Sequence, residues 1–468
     1  MGILAIVSAL TELTLAAMQQ ALQRGETSPA ELVDAHLARV ERVNPRINAF
    51  ISVFADEARA QARAPRPGPL SGIPVTVKDS FDLAGYPTLC GSAFRRTHRA
   101  AHDATAVARL KAAGAIILGK TSTPEFLAMY ETDNHIVGRA NNPWNLDRTP
   151  GGSSGGESAA IAAGCSAGGI GSDGGGSVRL PAHFCGLAGL KPTPGRMPAT
   201  GHFPLIQHPG GLLGVAGPLA RTARDVKILF DVMQGYDPAD PFSVPMPTTA
   251  QSSAGLRIGV MEQFLDVPVQ ASARRAVRRA AQLLSETLGH TVDEFRPQGL
   301  ERAPNVWSFF FSELAVPFTR DALAGREHEA HWTGTEFYDR LKNNPEPTGR
   351  DVVEKLGLRD AMRRHLLHQM EEWPVLLSPT CGVSAFPHRA RRYATESKEI
   401  GLFQAMMPLT WVNLLGLPAV TVPLTMDDEG LPVGVQLIGR PWEEDRLLDL
   451  AIQLEQVRDP LPPFPSDL

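Results

Sequence analysis

Between Gly151 and Arg196 the chain concentrates glycine, alanine and serine and carries little charge. Two glycine clusters mark the stretch: Gly151-Gly152-Ser153-Ser154-Gly155-Gly156 and Gly174-Gly175-Gly176-Ser177. Glycine admits positive φ and lets main chain approach a ligand with no Cβ in the way. A serine that closes such a run presents a hydroxyl beside several backbone N–H groups. Acyl transfer needs that pairing, a nucleophile with donors aimed at the oxyanion it creates. Flexible linkers share the Gly/Ser composition, but two segments argue against a linker. Ser158 to Cys165 is apolar and suits a tightly packed helix, and the chain after Ser177 continues as Val178-Arg179-Leu180-Pro181-Ala182 and apolar residues to Leu190.

The remaining chain can supply a large core. Its 468 residues are 43% hydrophobic and 20% charged, which excludes disorder. A net charge of −5 leaves no basic footprint for nucleic acid. Arg274, Arg275, Arg278 and Arg279 fall along one helix, where a solvated face explains them. Cys90, Cys165, Cys185 and Cys381 fit no zinc spacing and read as buried free thiols of a reducing compartment. The apolar start MGILAIVSAL lacks a basic leader region and a cleavage site, and no apolar run reaches membrane-spanning length. A soluble, cytoplasmic protein is expected.

Along the chain, helical patterns alternate with short apolar strands, the signature of an α/β layered fold. Ser28-Pro29-Ala30-Glu31 is a capping box that starts a helix to about Arg42, ended by Asn44-Pro45. Val75-Thr76-Val77 reads as a buried strand with Lys78 at its end. Lysine there is ordinarily a surface residue with a snorkelling stem; if buried, it must lose its proton or find partners. Ala115 to Leu118 is a second strand. Met129 to Pro150 is a long irregular connection of the kind that borders sites. Asp237 to Ser253, rich in proline, serine and threonine, reads as an excursion. Residues 296–372 are helical in pattern, with Trp307, Phe309, Phe310, Phe311 and Phe318 either lining a pocket or packing a face. Val375 to Pro379, Leu417 to Pro423 and Leu431 to Ile438 read as strands, the last two as a hairpin about Asp427 to Gly430. A helix from Glu443 to Val457 closes the chain.

Several of these segments together resemble the amidase signature family. The residues are GGSSGG at 151–156, Gly171-Ser172-Asp173-Gly174-Gly175-Gly176-Ser177-Val178-Arg179-Leu180-Pro181, and Gly189-Leu190-Lys191-Pro192-Thr193. Upstream GIPVTVKDSFDLAG matches the lysine segment, and Asn413 to Pro418 and Gly430 to Gly439 look like the C-terminal strands. Ser153 and Ser177 stand 24 residues apart, as in the family. The resemblance implies a large twisted mixed β-sheet covered by helices on both faces. It implies one amidase unit over 1–468: a helical segment 1–66, a signature core 67–236, a variable helical substrate-side region 237–372, and closing strands and helix 373–468.

Carried over by residue, the resemblance makes Ser177 the nucleophile, Ser153 a bridging serine on a cis peptide bond, and Lys78 the base. It assigns the oxyanion hole to the N–H groups of Gly174, Gly175, Gly176 and Ser177. Ser154 supports the network, and Asp173 pairs with Arg179 to hold the loop. Met129 and Tyr130 are expected at the substrate. Gly174 stands where the family often has threonine or isoleucine, leaving room beside the nucleophile. No metal or cofactor is implied, and His135, His183, His202 and His208 are read as satisfied or pocket-lining. The expected substrate is a small amide with a hydrophobic acyl or aryl group, of the kind cleaved by the fatty-acid-amide-hydrolase-like branch, with carbamate (urethane) cleavage or aryl acylamidase activity as alternatives. The acting species is expected to be a monomer or homodimer. A second reading is an amidotransferase A-type subunit, against which Leu180 and Pro194-Gly195-Arg196 stand in place of a usual glutamine and Tyr-Gly-Arg. A third is a binding module on an inactive scaffold, which the complete Lys78, Ser153 and Ser177 set opposes.

Overall fold

Strands drawn from both ends of the chain build the central element. The structure, a computed structural model, describes residues 9–206, 210–246, 251–465 and 468. The first six strands are β1 (Phe50–Val53), β2 (Pro74–Lys78), β3 (Ile116–Thr121), β4 (Gly168–Asp173), β5 (Ala188–Lys191) and β6 (Val215–Ala220). They are followed by β7 (Arg257–Val260), β8 (Thr291–Glu294), β9 (Val375–Pro379), β10 (Arg392–Ala394), β11 (Glu399–Gly401), β12 (Ala419–Met426) and β13 (Pro432–Gly439). Eleven of them form one mixed sheet in the order β1-β3-β2-β4-β6-β5-β12-β13-β9-β7-β8, and β10 pairs with β11 alone. The β3-β2-β4 and β9-β7-β8 flanks are parallel; from β4 through β6, β5, β12 and β13 to β9 the pairs are antiparallel.

Both sheet faces are covered. Val375 and Leu377 pack into one apolar cluster and Leu376 into the other, as alternation along a strand requires. Val435 and Leu437 likewise oppose Ile438. The first cluster takes in Val226, Leu229 and Phe230 of the helix Ala223–Met233 and Leu447, Leu450 and Leu454 of the closing helix Glu444–Val457. The second takes in Trp307, Leu409, Trp411 and Leu366 from the helices Ala303–Ser308, Leu402–Leu414 and Gly349–Gln369.

Two local expectations are corrected, and one strand was not expected. The helix capped by Ser28 runs on to Ile47, with Pro45 inside its last turn. Val43 and Ile47 are fully buried, and Asn44 holds the helix end through its carbonyl, which accepts from Asn48, and its side chain, which accepts from Ala49. Asn413 and Leu414 end a helix, and the strand begins only at Ala419. The strand β4, Gly-Gly-Ile-Gly-Ser-Asp, carries little strand propensity. It forms because only glycine fits there: a Cβ on Gly169 would lie 2.0 Å from Glu157 Oε1 and 2.3 Å from the Thr76 carbonyl. Of the expected excursion Asp237 to Ser253, residues 247–250 lie outside the described residues, as do 1–8 of the apolar start. Among the described residues no helix is long and apolar enough to cross a membrane.

Candidate active site

The parallel pair β2 and β4 ends at one place, and the two glycine clusters meet there. The register sets Thr76 beside Gly169 and Val77 beside Ile170, so Lys78 finishes β2 next to the end of β4. Its side chain is fully buried. Lys78 Nζ donates to Ser153 Oγ at 2.8 Å, to Ser172 Oγ at 3.0 Å and to the Ser172 carbonyl at 3.3 Å. All three acceptors are neutral, so nothing directly bonded balances an ammonium charge. Burial pushes the Lys78 pKa down to about 7, against the opposing fields of Cys90, Asp173 and Glu157. Glu157 lies on the helix Gly155–Ala162 and accepts from the Thr121 and Thr76 hydroxyls. Burial raises its carboxyl to about 7, and the threonine bonds work the other way.

Ser153 follows a cis Gly152–Ser153 peptide bond, and Ser154 stands at the N-terminal end of the helix Gly155–Ala162, its side chain making no capping bond. Ser177 closes the turn between β4 and the helix Arg179–Cys185. The Ser154 N–H donates to the Ser177 carbonyl at 3.3 Å, joining the two clusters, and Ser154 Oγ reaches the Ser172 carbonyl at 3.4 Å. No hydrogen bond links the hydroxyls of Ser153 and Ser177 directly. Ser177 keeps 8% of its surface exposed where Lys78 has none, so the serine lies nearer the surface than the amine.

The turn Gly174–Ser177 is locked from below. Asp173 Oδ1 accepts from the Gly176 N–H at 2.7 Å, and Oδ2 from Val178 N–H at 3.1 Å. The expected four-donor oxyanion hole is therefore corrected: the Gly176 N–H is committed to Asp173. Among the described residues no main-chain acceptor takes the N–H groups of Gly174, Gly175 and Ser177. Asp173 and Arg179 form a fully buried pair, with Arg179 Nη2 and Nε each 3.1 Å from the carboxylate. Burial would raise the Asp173 pKa, but the Arg179 charge and hydrogen bonds, with Lys191 and Asn413, hold it well below the usual carboxylate range. Asn413 Nδ2 donates to Asp173 at 2.9 Å, and Gln436 accepts from Arg179 at 2.9 Å. Motif reading gives no role to either residue, nor to Ser172. The available signal is a lone amide in an otherwise apolar segment, which must be bonded if buried.

Aromatic side chains form the wall beside the loop. Trp307 Nε1 donates to the Gly174 carbonyl and Tyr130 Oη to the Gly175 carbonyl, each at 3.1 Å. Phe311 stacks on Trp307 with ring centroids 4.5 Å apart and contacts Phe337, which packs on Phe403. A Cβ on Gly174 would lie 3.6 Å from Phe311, an ordinary contact, so space does remain at that position. Met129 and Tyr130 are both buried, and the Met129 carbonyl lies 2.6 Å from where a Cβ on Gly152 would be. Phe318 is 62% exposed and takes no part in this packing.

The remaining candidates bond or pack against other groups. His183 bonds the Val383 carbonyl and the Gly434 N–H, and His202 bonds the Pro204 carbonyl. His135 packs edge-on against His331; His208 lies outside the described residues. All four cysteines are free and buried, their thiols pushed up to about 12 by burial. The four helix arginines meet exposed acids: Glu262 and Glu396 for Arg274, Asp428 for Arg275, Glu262 for Arg278 and Asp459 for Arg279. Among the described residues no cluster of three or more His, Cys, Asp or Glu is placed to hold a metal.

The A-type subunit of glutamyl-tRNA(Gln) amidotransferase from Roseiflexus castenholzii is 35% identical to this chain, the match covering 96% of each. The structure of 6-aminohexanoate cyclic dimer hydrolase aligns with a TM-score of 0.87 at 30% identity, covering 98% of this chain and 100% of that one. A bacterial aryl acylamidase of the amidase signature enzymes aligns with a TM-score of 0.86 at 25% identity, covering 97% and 99%. Both glycine clusters, the lysine strand and the closing strands lie within residues 31–448, which match the Amidase family, and the chain belongs to that family of enzymes acting on amides.

Proposed function

We propose that the chain hydrolyses amides with apolar acyl or aryl groups through an acyl-enzyme on Ser177. The observation that carries this reading is the buried Lys78 amine bonded only to neutral groups, with Ser153 Oγ at 2.8 Å. Neutral Lys78 takes the Ser153 proton as Ser153 takes that of Ser177, and Ser177 Oγ adds to the carbonyl carbon. The N–H groups of Gly174, Gly175 and Ser177 bond the oxyanion that forms. Collapse breaks the C–N bond, and the leaving amine receives the proton back from Lys78 through Ser153. Water then enters by the same relay and frees the acid and Ser177. The aromatic wall of Trp307, Phe311, Phe337 and Phe403 favours an apolar group beside the nucleophile, and similarity to an aryl acylamidase supports the same substrate class. Carbamates offer the same tetrahedral path. The acting species is a monomer or homodimer.

The curated relatives favour a second reading, one component of an amidotransferase; Leu180 and Pro194-Gly195-Arg196 do not prevent 35% identity to such a component. A single experiment separates the two. The purified chain is screened for turnover of anilides, alkyl amides, esters and carbamates of graded length, and of glutamine, with Ser177→Ala as control. Anilide or alkyl-amide turnover by the chain alone, lost in the variant together with the acyl adduct seen by mass spectrometry, is the expected result. Turnover of glutamine alone selects the amidotransferase reading. Full activity of Ser177→Ala overturns the nucleophile.

A further inference from the structure

We propose that Trp307 and Tyr130 are positioning residues that fix the peptide planes of the glycine loop and thereby aim its oxyanion donor. The inference rests on the reading of Gly174–Ser177 as the oxyanion loop. The Trp307 indole N–H donates to the Gly174 carbonyl and the Tyr130 hydroxyl to the Gly175 carbonyl, both at 3.1 Å. Neither loop peptide is cis, and in a trans peptide the carbonyl and the following N–H point in opposite directions. Holding the Gly174 carbonyl therefore directs the Gly175 N–H away from the indole. Holding the Gly175 carbonyl directs the Gly176 N–H away from the phenol, where Asp173 Oδ1 accepts it at 2.7 Å. The loop is gripped from both sides, by two ring donors and by one carboxylate.

Packing agrees with the hydrogen bonds. A Cβ on Gly175 would lie 2.5 Å from Trp307 Cζ2 and 2.9 Å from the Tyr130 hydroxyl, so the loop has no slack toward the rings. A run of three glycines otherwise meets little steric resistance to rotation of its peptides. Rotation of the Gly174–Gly175 peptide would turn the Gly175 N–H from the oxyanion and put a carbonyl oxygen in its place. Trp307 and Tyr130 come from distant parts of the chain, the helix Ala303–Ser308 and the connection after β3. Phe311 stacks on Trp307 and backs the indole. The substrate-side helical region thus sets donor geometry as well as walling the site.

The test compares Trp307→Phe, which deletes the indole donor, and Tyr130→Phe, which deletes one oxygen, with the parent enzyme on a chromogenic anilide. Competent sites are counted by end-point titration with a fluorophosphonate, so that kcat refers to folded protein. Removing an oxyanion donor outright lowers kcat by about 10²–10³, so loosening one is expected to lower it by about 10-fold to 100-fold. KM should stay within about threefold and the pH midpoint should not move, because neither ring touches Lys78. A merely structural role would lower the titratable fraction or the melting temperature and leave kcat per site at the parent value, and that result overturns the proposal. So does a loss confined to KM. Tyr130→Phe leaves the Gly175–Gly176 peptide held by Asp173 through the Gly176 N–H, so its loss of kcat should be the smaller of the two; if Trp307→Phe does not fold, a reproducible loss of kcat per site in Tyr130→Phe carries the comparison. Activity retained by Ser177→Ala would overturn the nucleophile and the positioning role with it; an inactive Ser177→Ala beside unchanged kcat in both ring variants overturns the positioning role alone.

Discussion

Lys78 at the end of β2 and Lys120 on the neighbouring β3 are both buried within the sheet, with 0% and 1% of their surface exposed, yet their surroundings differ in kind. Lys120 lies 2.7 Å from the Asp79 carboxylate and donates to the Pro87 carbonyl, so its charge is matched. Lys78 has two hydroxyls and a carbonyl, and burial drives its pKa down to about 7. Burial without a bonded carboxylate is what leaves the ammonium form of Lys78 uncompensated. Lys191 sharpens the point. It too is fully buried and lowered to about 7, by burial and by the nearby Arg179 charge, but it donates to the Pro192 carbonyl. A neutral amine with no hydroxyl to deprotonate has no nucleophile to activate.

The strongest way to break this comparison is to exchange the roles by substitution. Lys78→Met should lower kcat/KM by about 10³-fold, within the range of a lost general base, while the protein remains folded. Urea unfolding alongside anilide kinetics checks both halves. Lys120→Met should do the reverse. It leaves Asp79 buried and unpaired, so stability should fall by about 3–5 kcal/mol in urea, with kcat per folded site near the parent value. An inactive but stable Lys120→Met would show that the two lysines had been assigned the wrong way round.

The pH profile sharpens the contrast further. Only neutral Lys78 accepts a proton, so kcat/KM should rise with pH, reach half its maximum near 7, and level off above. A midpoint near the ordinary lysine value of about 10.4 would mean that the amine is not desolvated in solution. The smallest effect is expected from Glu157→Gln. The Glu157 carboxylate supports protonated Lys78, so its removal should move the half-maximum to lower pH, by less than about one unit. An upward shift would contradict the sign of that interaction.

How much was legible depended on whether a residue's requirement is local. The loop Gly174–Ser177 could be read directly, because backbone that approaches a reacting atom admits little besides glycine and needs a hydroxyl at its end. The Ser28 capping box, the hairpin between β12 and β13 and the closing helix were equally open, since propensity and spacing specify them. Lys78 was readable only through the resemblance, because a lysine after a strand looks the same whether it snorkels or is sealed. β4 was missed because its glycines oppose strand formation, while the packing of Glu157 and Thr76 against Gly169, and of Leu219 and Ser154 against Gly171, requires them. The commitment of the Gly176 N–H to Asp173 left no trace in the motif.

The order of residues by itself therefore determined the chemistry available: two hydroxyls, one amine and a bare main-chain turn, held in segments whose local preferences place them on strand ends and helix starts. Tertiary structure alone decided which amine is buried without a bonded carboxylate, which loop N–H groups have no main-chain acceptor, and which distant rings press on the loop. Those outcomes depend on how fully Lys78 is sealed from solvent and on its bonding hydroxyls and a carbonyl where Lys120 meets a carboxylate, and both are settled only when remote segments pack together.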